Sequence, residues 1–328
     1  MSKIIGRLVN VGIGKETSRG TAAAIAYWIP KMDFSHDDKI QQVVNEQSMG
    51  IIENAIGADI TQKYSEGEIK GRVVADSFGL FLLSAIGSVS SGAVGGQAGA
   101  YDHTFSTLQS GQHPSLTVGV KDANSGTGLS YALSMIDTLE INAELNKYLE
   151  MSVKYRGNVN ASSTLTPSYS AQTQYFLPQH ATVKFASNIA GLGAASAISV
   201  KRVNLAISKN LEDDQVLGTL TPADRLNKQF AVEGSIELMY DSRTYIDTNM
   251  LGDLAQALRI QFTNTGVTIG TSTNPDLKID LASVKLKEVA RSQSNDDFVT
   301  QTLNFTAFYS VADTSMISVV LRNTVASY

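Results

Sequence analysis

Four histidines, thirty-one carboxylates and no cysteine are the groups through which this chain could do chemistry. His36, His103, His113 and His180 fall on separate stretches, and the one candidate group at ligand spacing is His36 with Asp37 and Asp38. Adjacent residues do not share a face, so that trio makes a poor chelate and the histidines read as solvated polar side chains. Gly12-Ile13-Gly14-Lys15 invites a phosphate-loop reading, but such a loop needs four residues between its glycines and Ser or Thr after the lysine, where this chain has Glu16. It reads instead as a β-turn between two edge strands. There is no G-x-S-x-G elbow, and nothing in the pattern raises the pKa of a carboxylate pair. The sequence therefore offers no catalytic constellation, metal site or cofactor cradle, and the absence of cysteine removes disulfides and thiolate ligands. A net charge of −5, with no Lys/Arg block, gives no grip on nucleic-acid phosphates.

With no chemistry to position, the elements must serve something else. A length of 328 residues suits two domains of about 160 each. Charged residues make up 17%, low against the usual ~25%, as expected if surface is saved by burial between subunits. Alternating apolar patterns outnumber helical ones, so the fold should be mainly β. No window approaches 18 apolar residues and the N-terminus lacks the apolar core of a signal peptide, which predicts a soluble, cytosolic protein without a membrane partner. The apolar run from Phe78 to Ile86 is too short to span a bilayer and reads as a helix packed on a sheet.

Residues 66–87, EGEIKGRVVADSFGLFLLSAIG, have a degenerate echo at 233–252, EGSIELMYDSRTYIDTNMLG. Each begins as a strand of period two and passes into an apolar stretch, with Asp76-Ser77 and Asp241-Ser242 as expected helix caps and Gly87 and Gly252 as expected stops. The Asp, Ser and Gly pairs all lie 165 residues apart. That constancy predicts duplication of a whole domain, with halves at 1–160 and 161–328 linked by the Ser/Thr/Gln-rich stretch 158–180. Weaker echoes keep the same order: 202–205 answers 31–34, 213–216 answers 37–40, and Leu258, Ile260 and Phe262 answer Leu116, Val118 and Val120.

Residues 35–65 form a polar arm with no evident period, yet Ile51, Ile52, Ile56 and Ile60 argue against disorder and for a partner contact. Residues 88–100 read as a flexible Gly/Ser loop. The first half closes with a hairpin. Leu139, Ile141, Ala143 and Leu145 should face the core, leaving Thr138, Glu140, Asn142 and Glu144 on the other face, joined by Glu150, Ser152 and Lys154 of the next strand.

Three stretches resemble a known family: GIGKETSRGTAA at 12–23 followed by Trp28-Ile29-Pro30, Tyr101-Asp102-His103-Thr104-Phe105, and Pro114-Ser115-Leu116-Thr117. They are similar to the major tail tube proteins of long-tailed, siphovirus-like bacteriophages. For His103, inside the second stretch, the resemblance implies a role in fold-specific packing and not a solvated side chain. The resemblance implies two tandem tail-tube-like β-sandwich or barrel domains, each with a short flanking α-helix, closing into a ring-shaped β-barrel on oligomerisation. It also implies a structural virion protein of the phage tail, assembled in the host cytoplasm, whose stacked rings conduct double-stranded DNA during ejection. Its partners would be copies of itself, the tape measure protein, and the tail terminator and tip proteins. Two domains per chain predict homotrimeric, pseudo-sixfold rings, the alternative being hexamers. The arm 35–65 would then cross to the next ring, and Thr138, Glu140, Asn142, Glu144, Glu150, Ser152 and Lys154 would face the lumen. The competing reading is a monomeric β-sandwich adhesion or carbohydrate-binding module of a tail tip or bacterial surface.

Overall fold

The computed structural model describes residues 3–123 and 126–328. The chain is mainly antiparallel β. Its first half holds β1 (Asn10–Lys15), β2 (Tyr27–Ile29), β3 (Lys31–Asn45), β4 (Gly57–Arg72), the helix α1 (Ala75–Ile86), β5 (Gly87–Ala93), β6 (Tyr101–Thr107), β7 (Leu116–Lys121), β8 (Gly128–Glu144), β9 (Glu150–Gly157) and β10 (Ala161–Ser163). The second holds β11 (Ala181–Ala186), β12 (Ala197–Ile198), β13 (Arg202–Ser208), β14 (Leu211–Asp214), β15 (Asp224–Asn227), β16 (Ala231–Met239), β17 (Gln256–Thr263), β18 (Asp276–Ser292), β19 (Thr300–Phe308) and β20 (Ile317–Asn323).

One long sheet runs through both halves in the order β3-β4-β9-β8-β13-β16-β19-β18. Its inner face carries Ile69, Leu139, Ile141, Val153, Leu205, Ile236 and Leu303, all buried. The N-terminal parts of β8 and β18 leave this sheet for outer layers: β2-β1-β7-β8-β10 covers the first half, and β12-β11-β17-β18-β20-β6-β5 the second. The hairpin β5–β6 of the first half thus completes the outer sheet of the second. The long sheet stays open within one chain, and β3 and the C-terminal part of β18 are its edges.

The two halves of this sheet match in detail. β8 and β18 each carry one bulged residue, Asp137 and Lys287, 150 positions apart. Gly67 of β4 lies opposite Tyr155, and Gly234 of β16 opposite Phe305. Any Cβ at Gly67 would meet the Tyr155 hydroxyl at 2.6 Å, and one at Gly234 the Phe305 ring at 2.5 Å. An aromatic lying over a strand glycine restores the packing that glycine lacks. Tyr155 and Phe305 are again 150 apart.

Helix α1 is buried almost all round, because Phe78, Phe81, Leu82 and Ile86 fill the space between layers, each contributing on the order of 1.5–3 kcal/mol. Its N-cap is Val74 rather than Asp76-Ser77, which fall inside the first turn, where Asp76 complements the helix dipole. Its end is as expected: Gly87 adopts φ 116° and returns its N–H to Leu83. The echo differs. Only a single π-helical turn, Tyr245–Met250, follows β16, and Gly252 has no positive φ. Tyr-Ile-Asp-Thr-Asn-Met is built of weaker helix formers than Phe-Gly-Leu-Phe-Leu-Leu, so the expectation of an α-helix in each half holds for the first alone.

Four further expectations are corrected. Residues 35–65 are mostly regular strand, β3 paired to β4 from Lys31↔Gly71 to Asn45↔Gly57; a register shift at Gln41/Gln42 breaks the alternation that would have revealed it. Residues 88–93 belong to β5, paired to β6, because Ser and Gly suit an exposed edge as well as a loop. Leu145 is 54% exposed, since the strand ends at Glu144 and Asn146 turns the chain with φ 65°. Finally, β13 matches β3 two residues away from the proposed alignment, so that Ser35 corresponds to Asn204 through their partners Glu68 and Ser235, and 213–216 lie in a separate hairpin.

Candidate assembly surfaces

The polar residues of the closing hairpin lie together on the outward face of the long sheet, in register as Thr138↔Lys154, Glu140↔Ser152 and Asn142↔Glu150. Flanking strands extend the face. On one side Ser152 donates to Glu68 at 2.7 Å and Lys70 pairs with Glu68 at 3.0 Å, so the Glu68 carboxyl is held below its usual range, chiefly by the Ser152 hydroxyl. On the other, Asn204 of β13 donates to Asn142 at 2.5 Å, and Arg202 lies opposite Glu144. Glu144 also pairs with Lys147 at 2.8 Å. Further along, Lys287 meets Glu233 at 2.9 Å and Asn304 meets Glu288 at 3.0 Å. A shallow depression of about 440 Å³ is lined by Asp33, Glu68, Lys70, Glu140, Glu150 and Lys154, among others. The surface is polar, mixed in charge and internally paired; its groups are spread along strands rather than converging on a point.

The hairpin of β3 and β4 leaves this sheet exposed on both faces. Ile52 is fully exposed, Ile51 52%, Ile56 44% and Ile60 37%, and Ile40, Val43, Val44 and Met49 are uncovered as well. An apolar cluster this dense on a projecting ribbon marks an interaction surface. The corresponding hairpin of the second half, β14–β15, behaves oppositely. It lies across the first half, where fully buried Arg225 pairs with Asp213 at 2.9 Å and donates to the Leu133 carbonyl and Asn158. Arg19 binds Asp224, and Lys63 donates its N–H to Leu220.

The residues that sequence reasoning left unexplained are mostly structural anchors. β1 is an interior strand, paired to β2 and β7, and not a turn between edges; Gly12 and Gly14 are needed because Ile25 and the Ala24 carbonyl press against them. Buried Glu16 accepts from Ser115, Thr117 and the backbone N–H groups of Gly20 and Leu133. That saturation is how an interior carboxylate is tolerated. His103 packs as the resemblance implies, and the other histidines are not all solvated. His103 and His113 are buried; His103 contacts Ser91, Asn323 and the Val325 carbonyl, and His113 lies 3.1 Å from the Ala85 carbonyl. Burial, with Lys209 nearby, pushes His113 down to about 4, and burial pushes Lys209, whose ammonium donates to the Ser84 carbonyl, down to about 7. Among the described residues no group of three His, Asp or Glu is placed to hold a metal, and no helix is long and apolar enough to cross a membrane.

A β-rich chain with a paired polar sheet face, an open sheet edge at either end and a projecting apolar hairpin is, by class, an assembly subunit. The family model described as phage tail tube protein matches residues 6–307, and the chain belongs to that family. It is accordingly a structural protein of the phage virion tail, from a family that self-assembles into a tube. No curated protein matches the chain.

Proposed function

We propose that the chain is a duplicated tail tube subunit, with domains at 1–160 and 161–328, and that three copies close into a pseudo-sixfold ring. Rings stack into the tube through which DNA is ejected. The observation that carries this reading is the junction β8–β13, where the two halves join edge to edge over seven residue pairs from Arg202↔Glu144 to Ser208↔Thr138. A sheet that already passes from one half to its equivalent contains the contact that a ring repeats.

In this reading the outward face, with Thr138, Glu140, Asn142, Glu144, Glu150, Ser152 and Lys154, lines the lumen. Its carboxylates outnumber its cations there, so duplex DNA is weakly repelled and slides. The arm, with Ile51, Ile52, Ile56 and Ile60, seats on the next ring, while the β14–β15 hairpin stays on its own chain, so each chain offers one stacking arm. Assembly takes place in the host cytoplasm around a tape measure protein and ends on terminator and tip proteins. A solitary adhesion module would leave the arm and both sheet edges without a use. Negative-stain electron microscopy of the purified protein tests the proposal: rings or tubes are expected, and deleting 46–60 should leave soluble protein that no longer elongates. Monodisperse monomers at every concentration would refute it.

A further inference from the structure

The junction inside the chain is also a template for a contact that the chain leaves unmade. Residues 286–292 of β18 pair with β19 on one side, and among the described residues no strand occupies the other. Among the described residues β3 pairs with β4 alone. The bulges at Asp137 and Lys287 and the aromatics Tyr155 and Phe305 make β18 the counterpart of β8. The glycine registers make β3 the counterpart of β13. β8 and β13 are joined, and β18 and β3 are the two free edges. Unpaired edges of this length invite pairing.

We propose that the β18 edge takes up the β3 edge of a second copy, antiparallel, in the register of the internal junction. The proposal rests on the tube reading and adds to it which strands meet and which residues face one another. Carrying the pairs Asn142↔Asn204, Glu140↔Ala206 and Thr138↔Ser208 onto their counterparts places Ser292 opposite Ser35, Ala290 opposite Asp37 and Glu288 opposite Lys39. The hydrogen-bonded Asn142–Asn204 pair is thereby replaced by two serines, which can make an equivalent bond.

The internal template selects this occupant. It joins unlike strands, β8 to β13, so β3 against β3 or β18 against β18 has no counterpart in the chain. The free segment of β18 carries Lys287 and Arg291 against Glu288, β3 carries Asp33, Asp37 and Asp38 against Lys31 and Lys39, and the register sets Glu288 opposite Lys39, an opposite-charge pair that favours a ladder. The contact is therefore heterologous, and a heterologous contact that repeats closes into a ring when its rotation closes, as the tube reading requires.

The chain has no cysteine, so engineered pairs report on a clean background. S35C and S292C sit at opposite edges of an eight-stranded sheet, roughly 34 Å apart at ~4.8 Å per strand, and cannot join within one chain. Directly opposed residues meet the disulfide distance requirement, whereas diagonal neighbours, ~7–8 Å apart, do not. Oxidised S35C/S292C should run on denaturing, non-reducing gels as a ladder ending at a covalent trimer, and D37C/A290C should do the same. S35C/A290C, shifted by two residues, should remain monomeric, as should each single variant. A ladder ending at six would keep the register and overturn threefold closure. Rings in the microscope with neither matched pair cross-linked, or with the shifted pair linked instead, would overturn the register while leaving the tube reading intact. Absence of both rings and cross-links would overturn both.

Discussion

Replacing Ile51 and Ile52 by serine should abolish elongation without disturbing the fold. Both side chains sit at the tip of the β3–β4 hairpin, Ile52 fully exposed and Ile51 52% exposed, so the isolated subunit has little to lose and its stability should change by no more than ~0.5 kcal/mol. If the arm seats on the next ring, as proposed, both become buried. Full burial of an isoleucine contributes about 1.5–3 kcal/mol; taking ~2 for Ile52 and ~1 for half-covered Ile51 gives roughly 3 kcal/mol per arm, or more than a hundredfold in association constant. With three arms per ring the effect compounds, so the critical concentration should rise by at least two orders of magnitude. Pelleting across a concentration series measures that concentration, and thermal melting of the unassembled protein checks the fold. Tubes of ordinary length at the ordinary concentration would refute the stacking role. A large loss of melting temperature would show instead that the arm supports its own chain.

Three further outcomes follow from the geometry. The double substitution E140K/E144K should leave tubes intact but slow DNA ejection at low salt, with partial recovery as salt screens the new attraction; unchanged ejection would take those residues off the lumen wall. Because His113 is held neutral with its folded pKa near 4, below the unfolded value of about 6.5, the unfolded chain binds the extra proton between these limits. Stability should be fully present above pH 6.5 and fall by up to ~1.4 kcal/mol per pH unit on acidification towards 4, and H113N should remove that component of a melting-temperature profile; an unaltered slope would exclude His113 as its source. G67V and G234V should each destabilise the subunit by about 1–3 kcal/mol, since each new side chain collides with the aromatic above it; melting curves unaffected at either site would show that the two glycines are not equivalent.

Much of the long sheet was legible in the sequence because a sheet with one buried face writes a period of two. Ile69 and Gly71 and Leu139 to Ala143 alternate as the pattern predicts, while on the neighbouring strand Met151, Val153 and Tyr155 are buried as expected but Ser152, covered by Glu68, is buried with them. The Glu-Gly-x-Ile repeat identified the two strands whose glycines lie under Tyr155 and Phe305. The arm's regularity was hidden by the shift at Gln41/Gln42 and by apolar residues on both faces, since nothing in its own chain buries either. The second helix was over-read: the Asp, Ser and Gly offsets survive in a segment whose intervening residues no longer favour a helix. Glu16 could not be understood locally, because its donors come from three separate stretches around Gly20, Ser115 and Leu133. The free edges of β3 and β18 were invisible for a related reason: an edge is defined by the strand that is missing, and only the full ladder shows which one that is.

In the proposed assembly the junction β8–β13 within a chain and the junction between chains are one contact used twice. An electron cryomicroscopy reconstruction of the assembled tube measures this directly. The expected result is a ring of three chains with six near-equivalent lobes, each chain's β3 continuing its neighbour's β18, and Glu140 and Glu144 on the inner wall. A ring in which six chains each place one half outside the barrel, or in which the β3 and β18 edges remain unpaired, would contradict it.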